Sequence, residues 1–388
     1  MAGAPCDREP GGGGDVLGAG HRAADYHTSN TEPALLTVII LARNQSMLTR
    51  ACLDALACVP ADLDVRLVDN ASRDDTPALA REYAARFRRF TYRRSPRNLG
   101  FALANNRAAR EPSGEALLFL NNDVQVAPGA VSRLLDGVID GGGGIAGPKL
   151  LYTDATIQHA GIRQMLWGYA SNRGTRAPRE EPALDRGRSI SAVTGAMLAV
   201  GSDVFQRVGG FDERYRWGYE DVDLCLKVHR AGADVRYVPD AESVHAESAT
   251  LATVRRPPDL AWNYALYRRR WNHRLVPAEH AAIDRLRRAG IRRVAVFGTG
   301  LAAAGLHRML RRRGIAVIGF TASTVGATRF RGLPVAPLTD LHRWRYDRLL
   351  VASQHYYAVR TRLRELDPAG RPMLPLADVG DGDHDAGW

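Results

Sequence analysis

Lysine is almost missing from this chain. Of its 53 Lys+Arg residues only Lys149 and Lys227 are lysines, so arginine carries the positive charge, a bias that reads as codon usage of a GC-rich genome. Against 42 Asp+Glu this leaves a formal net charge of +11, which favours anionic surfaces and phosphates. No basic segment interleaved with aromatic residues matches an RNA- or DNA-binding module, and the clusters Arg268 to Arg270 and Arg311 to Arg313 fall where helix faces or ends are expected, so no nucleic-acid partner is expected. Cysteine is scarce as well. Cys6, Cys52, Cys58 and Cys225 form no CxxC pair and have no histidine at zinc spacing, which excludes a disulfide framework and a zinc site. Long apolar runs are absent: the longest near the start, Leu35 to Ala42, is far too short for a bilayer. The first thirty-odd residues, with Gly11 to Gly14, lack the apolar core of a secretory signal. With 388 residues, 45% of them hydrophobic and 24% charged, two domains are expected and wholesale disorder is excluded. The expectation is a cytoplasmic protein without a transmembrane segment, with contact between the Arg268 helix and the inner face of a membrane left open.

Strand and helix patterns then alternate. Leu36 to Ala42 reads as a buried strand and Leu48 to Ala57 as a helix. Asp64 to Asp69 is a strand with polar residues at its end, Thr76 to about Arg88 and Asn98 to Arg110 are helices, and Glu115 to Leu120 is a strand running into Asn121-Asn122-Asp123. Alternation of this kind means a mostly parallel sheet in an α/β fold, with ligands beyond the carboxyl ends of the strands. Gly141 to Arg188, rich in Gly, Arg and Pro, reads as loops over the sheet. Regularity returns at Ser191 to Val200, in a helix from Asp221 to Ala231 and in a strand from Asp234 to Val238. An aromatic and basic helix between Pro258 and Pro277 closes the first domain. A second, small doubly wound domain opens with the strand and glycine turn Arg293 to Gly300. The expected division is a disordered tail at 1–33, a first domain at 34–275, a linker helix at 276–290, a second domain at 291–378 and a disordered tail at 379–388.

Three clusters carry chemistry. Asp69 to Thr76 stands between strand and helix, where an Asx-type turn alone would explain it. Asn121-Asn122-Asp123 follows an all-apolar strand, and its side-chain oxygens suit Mg2+ or Mn2+ with a bound diphosphate, although a turn is again an equal reading. Trp217-Gly-Tyr219-Glu220-Asp221-Val-Asp223 is the third. Its acids favour a helix start electrostatically, yet adjacent Glu220 and Asp221 beside aromatic residues also suit a general base at a sugar face. His245 suits a metal shell, and Trp217 and Tyr219 suit either sugar stacking or packing.

Taken in order, the motifs resemble family 2 glycosyltransferases of the GT-A fold, in the rhamnosyltransferase-like branch. The resemblance spans roughly Leu36 to Arg274 and rests on Val-Ile-Ile-Leu-Ala-Arg-Asn44, Val-Asp69-Asn70-Ala-Ser72-Arg-Asp74, Asn98-Leu-Gly100-Phe-Ala-Leu-Ala-Asn105, Phe-Leu-Asn-Asn-Asp123, Thr-Gly195-Ala-Met, Gly-Gly210-Phe-Asp212-Glu and Glu220-Asp221-Val-Asp223-Leu, with His245 following. It implies that Asp69 hydrogen-bonds the pyrimidine of a nucleotide-sugar donor. Asn44, Asn70, Ser72, Asn98, Gly100, Asn105, Asn121 and Asn122 line the donor side. Asp123, the last acid of the family's DxD motif, and His245 bind the divalent metal. Asn121 departs from that motif's first acid. Asp221 is implied as the base, with Glu220 or Asp223 as alternatives for that role, and Gly195, Trp217, Tyr219 and Asp223 face the acceptor. The implied activity is single-displacement, inverting transfer from a dTDP- or UDP-sugar, rhamnose or another deoxysugar, to a glycan, a lipid-linked glycan or a natural product. A nucleotidyltransferase on a similar sheet and a catalytically inactive sugar-nucleotide-binding scaffold are the rivals. The second domain's Gly298-Thr-Gly300 turn looks Rossmann-like, but Phe320-Thr321-Ala322-Ser323 has no ribose-binding acid, so docking, scaffolding or regulation is expected there and not NAD binding.

Overall fold

Leu36–Ala42 offers apolar groups to both faces, and such a strand is stable in the middle of a parallel sheet covered by helices on both sides. In the computed structural model, which describes residues 26–28, 36–164, 170–216, 218–246, 258–324, 326–352, 356–366 and 373–375, that strand lies inside the sheet. Leu63–Asp69 and Ala116–Asn121 flank it in parallel, and Arg89–Arg94 extends the sheet beyond Leu63–Asp69. On the other side Met197–Gly201 runs antiparallel to both its neighbours, Ala116–Asn121 and Ile145–Leu151, and Ile145–Leu151 pairs in parallel with Val235–His245. The sheet is mostly parallel. One of its cores gathers Val38, Ile40, Leu67, Leu118 and Leu134 under the helices Ser46–Ala57 and Ala130–Asp140. The rings of Phe119, Phe205 and Phe211 pack together, with centroids 4.9 to 5.6 Å apart.

Register places the site. Ala42 pairs with Asp69, Leu41 with Asn121 and Asp69 with Arg94, so the polar strand ends come level at one edge of the sheet.

Several elements depart from the sequence reading. Tyr26–Thr28, inside the expected tail, pairs antiparallel with Arg89–Arg94, whose outer backbone groups would otherwise form an open edge. Residues 1–25, 29–33 and 379–388, the rest of the expected tails, lie outside the described residues. Gly141 to Arg188 is not all loop, because the fully buried strand Ile145–Leu151 lies within it. Gly147-Pro148-Lys149 disguised it, since glycine and proline argue against a central strand and lysine against burial. A Cβ on Gly147 would stand 2.5 Å from the Cβ of Val193, and the buried ammonium of Lys149 pairs with Asp185.

The described chain divides into two compact units, one reaching to Ala155 with His159–Gly161 and Pro182–Asn263, the other made of Thr156–Gln158, Ile162–Glu181 and the residues from Tyr264 onward. The closing helix and the linker helix expected from the sequence are one 31-residue helix, Pro258–Arg288, with Pro277 in its interior. A proline removes one helical hydrogen bond and bends the helix more readily than it ends it. The second unit has its own six-stranded sheet. Arg293–Phe297 lies inside it, parallel to Ala316–Ala322 on one side and to Arg348–Val351 on the other. Leu301–Arg312 and the end of the long helix supply Leu306, Leu310, Ile283 and Leu286 to one core, and Tyr356–Leu366 supplies Val359 and Leu363 to another. Among the described residues no helix is long and apolar enough to cross a membrane.

Candidate active site

The turn after Leu63–Asp69 is tied by its own polar groups. Fully buried Asp69 accepts the N–H of Ser72 at Oδ1 (2.7 Å) and the hydroxyl of Tyr92 at Oδ2 (2.7 Å), and Arg94 Nε lies 3.5 Å from Oδ2. Ser72 Oγ accepts the N–H of Asn44 at 2.8 Å, and Asn44 Oδ1 accepts the N–H of Arg73 at 2.8 Å. Asn70 reaches the next loop: its Oδ1 accepts the N–H of Leu99 at 2.7 Å and its Nδ2 donates to Gly100 O at 3.3 Å. Asn98 Oδ1 accepts the N–H of Gly100 at 2.9 Å. Six of the expected donor-side residues therefore belong to one network. Asn105 lies one helical turn further on, its Nδ2 donating to Phe101 O at 3.1 Å and its buried Oδ1 without a hydrogen-bond partner among the described residues. Asn44 and Ala71 hold left-handed backbone, with φ of 58° and 66°, conformations that cost non-glycine residues roughly 1 to 2 kcal/mol each and concentrate at functional loops.

The second cluster is assembled across 122 residues. Val124 and Gln125 pair with His245 and Val244, and the N–H of Ala246 donates to Asp123 O at 3.0 Å. This short ladder sets His245 Nε2 3.0 Å from Asp123 Oδ1. A carboxylate oxygen and an imidazole nitrogen facing each other are ligand types that suit a divalent cation. Among the described residues no group of three or more His, Cys, Asp or Glu could hold a metal. Asn122 is turned to structure, its Nδ2 donating to Thr49 Oγ1 at 2.9 Å and to Asn44 O at 3.3 Å. Asn121 is half-buried, with its N–H donating to Ala196 O at 2.8 Å.

The third cluster opens the helix Glu220–Arg230, whose preceding residue Tyr219 has φ of 72°. Asp221 Oδ2 accepts the N–H of Gly195 at 3.0 Å and Oδ1 accepts the N–H of Val222 at 2.8 Å. A Cβ on Gly195 would sit 3.0 Å from the ring of Phe101 and 3.5 Å from Asp221 Cβ, so glycine keeps this approach open. Glu220 Oε2 is buried with no hydrogen-bond partner among the described residues. Burial, with the charge of Asp221 adding to it, pushes Glu220 up to about 8. Burial raises Asp221 as well, against the N–H groups of Gly195 and Val222 that favour its charged form. The rise makes Asp221 a stronger proton acceptor when charged, while Glu220 keeps its proton up to about pH 8.

The sign for stability follows by linkage. A carboxyl whose folded value lies above its unfolded one stabilises fully below the unfolded value and loses that contribution as pH rises through the folded value. For Glu220 the window runs from 4.5 to about 8. Glu220→Gln should therefore unfold at a higher temperature than wild type at pH 8, with the gap closing toward pH 5. Thermal melts across that range test it, and a gap independent of pH would show that Glu220 does not hold its proton.

Asp223, expected to face the acceptor, is fully buried with Oδ1 3.4 Å from the Tyr215 hydroxyl and Oδ2 3.9 Å from Lys227 Nζ. Tyr219 is buried too, and Trp217 lies outside the described residues. Sequence reasoning missed Tyr92 and Arg94 behind Asp69, and also Asn263, which accepts the N–H of Arg216 at 3.1 Å and donates to Gly218 O at 3.0 Å just ahead of Glu220. It missed His159, whose Nε2 lies 3.4 Å from the N–H donor of Thr194 beside Gly195. These residues sit in segments without a motif, and only strand register brings the first two to Asp69.

Comparison with known proteins gives the class first. The crystal structure of GalNAc-T7 with UDP, GalNAc and Mn2+ matches at a TM-score of 0.50 and 14% identity, over 74% of this chain and 56% of that one, which makes the fold GT-A. Glycosyl transferase family 2 matches residues 37–209, and the N-terminal domain of galactosyltransferase matches 179–248. A family 2 glycosyltransferase domain thus occupies residues 37–209, and the chain is similar to proteins of the rhamnosyltransferase-like branch. The O-antigen biosynthesis protein RfbC of Myxococcus xanthus is 32% identical over 244 residues, which is 60% of this chain and 19% of that protein. The N-acetylglucosaminyl-diphospho-decaprenol L-rhamnosyltransferase of Mycobacterium tuberculosis is 32% identical over 209 residues, 47% of this chain and 66% of that one. The chain thus spans about a fifth of the first relative's length and 66% of the second's.

Proposed function

We propose that the chain moves a sugar from a nucleotide-activated donor to an acceptor hydroxyl with inversion at the anomeric carbon. The observation that carries this reading is Asp221, a carboxyl raised by burial and fixed in one orientation by two backbone N–H groups. Asp221 accepts the proton of the acceptor hydroxyl. The acceptor oxygen bonds to the anomeric carbon from the face opposite the departing diphosphate, whose bond to that carbon breaks, so one displacement inverts the centre. Glu220, the neighbouring acid, is the alternative base. Asp69 with Asn44, Asn70, Ser72, Asn98, Gly100 and Asn105 shapes the nucleotide side, and Gly195 borders the acceptor side. Asp123 and His245 would hold Mg2+ or Mn2+, which when bound offsets the charge developing on the leaving diphosphate.

The mycobacterial relative is named for L-rhamnose and a diphospho-decaprenol acceptor, and the Myxococcus one for O-antigen biosynthesis. These names support a dTDP- or UDP-linked deoxysugar as donor and a lipid-linked glycan or surface polysaccharide as acceptor. The second unit, on this reading, docks or regulates.

The test is nucleoside diphosphate release from a panel of UDP-, dTDP- and GDP-sugars with Mg2+ or Mn2+. One donor should be turned over and a chelator should abolish the release. Asp123→Ala and His245→Ala should each raise the metal concentration for half-maximal rate at least roughly tenfold. Release indifferent to the chelator and to both substitutions would overturn the metal assignment, and donor binding without release under any acceptor would favour an inactive scaffold.

A further inference from the structure

In a parallel doubly wound sheet every helix hands its chain back at the edge where the next strand begins. In the second unit that edge collects arginine. The helix Pro258–Arg288 ends in Arg287 and Arg288, the strand Arg293–Phe297 starts behind Arg292, and the helix Leu301–Arg312 ends in Arg311 and Arg312. Arg287, Arg288, Arg292, Arg293, Arg311 and Arg312 are all exposed. Contiguity is set by backbone contacts: Arg293 pairs with Ala316, the N–H of Ala316 donates to Arg292 O at 2.8 Å, and Val294 pairs with Arg348. Helix-end carbonyls account for part of the charge, since cations are favoured there. Arg292 is partly engaged in this way, donating to Arg287 O at 2.6 Å and Ile291 O at 3.2 Å.

Two acids stand at this edge and offset part of the charge, Asp347 facing Arg292 and Arg293 and Asp284 facing Arg313, and the arginines outnumber them. Asp284 lies 3.5 Å from Arg313, and Asp347 Oδ2 accepts the N–H groups of Arg292 and Arg293 at 2.7 and 2.8 Å. Among the described residues the side chains of Arg287, Arg288, Arg293, Arg311 and Arg312 form no ion pair. Such an edge offers several guanidinium groups at once to a phosphate-bearing surface.

We propose that the arginine edge of the second unit binds the surface of a membrane containing anionic phospholipid. Attraction of this kind is additive over basic residues, weak for each and reversible with salt. The inference does not depend on the transfer reaction, because it concerns a different unit and is read without any sugar nucleotide.

Co-sedimentation of the full chain with phosphatidylcholine vesicles, with and without phosphatidylglycerol, tests it at an ionic strength of about 0.1 M, where exposed charges still act over roughly 10 Å. The protein should partition to the anionic vesicles only, and be released as salt rises. The fourfold variant Arg287→Glu, Arg288→Glu, Arg311→Glu, Arg312→Glu should lose binding several-hundredfold, at roughly fivefold per arginine, with an unchanged melting profile and unchanged diphosphate release. A single variant, Arg312→Glu, keeps the test open should the fourfold one fold poorly, and should cost about fivefold. No partition of the wild type, equal partition of the variants, or tighter binding to a single-stranded RNA than to anionic vesicles would each overturn the proposal.

Discussion

Asp221→Asn is expected to slow nucleoside diphosphate release on the order of 10^3-fold while leaving donor affinity within about twofold, because removal of a positioned general base typically costs 10^2 to 10^4 in rate. The geometry makes the substitution sharper than a simple loss of charge. Both carboxylate oxygens now accept backbone N–H groups, from Gly195 and from Val222. An amide has one accepting oxygen, so its NH2 must face one of these two donors or rotate away. Asp221→Glu restores the charge one methylene further out and should recover part of the rate, a rescue that a purely structural role would not show. Steady-state rates with donor titration read both. Activity of the Asn variant above a tenth of wild type would move the base to Glu220, whose buried Oε2 lacks a hydrogen-bond partner among the described residues.

A second large effect is expected from Lys227, which does no chemistry. Its ammonium is buried against Gly210 O and stands 3.9 Å from Asp223 Oδ2, and Asp223 is fully buried. Lys227→Met removes the buried ammonium beside Asp223, a change that costs about 3 to 5 kcal/mol for a buried pair. For a unit of this size that is a fall of roughly 6 to 20 °C in the unfolding midpoint of the first unit. Removing the partner as well, with Asp223→Leu added, should recover most of the loss, since a buried ion pair replaced by apolar groups is often close to neutral. Lys227→Arg should not rescue, because a planar guanidinium is larger than the site an ammonium fills. A single variant that melts with wild type would show that Asp223 gives up its charge by protonation instead.

Much of this architecture could be read in the sequence. The largely apolar runs at Leu36 and Ala116, with the strand pattern of Asp64 to Asp69 between them, state a parallel sheet, and the polar residues closing the strands, Asp69 and Asn121 to Asp123, state at which edge a site is expected. The Glu220-Asp221 pair and His245 stood out by residue type. What was hidden has physical causes. Gly195 was named from its motif, but its hold on Asp221 was hidden because it acts through a backbone N–H, which every residue but proline possesses. Tyr92 and Arg94 reach Asp69 across strands, through a register that no local pattern records. Val235–His245 continues past Pro239 because its pairing slips between Val238 and Ser243, and proline there reads as a stop. Asp223 was expected beside the acceptor since it shares a turn with Asp221, yet a helix sends residues two positions apart to different faces.

The two lysines carry one more implication. Lys149 and Lys227 are 6% and 5% exposed, both within the first unit, so the folded chain presents no lysine amine to an acylating reagent. Labelling at these two positions has to wait for the first unit to open. Mass spectrometry of pulse-acylated protein would therefore report the opening of that unit alone, without any engineered probe, and a ligand that stabilises the fold would register as slower modification at both sites.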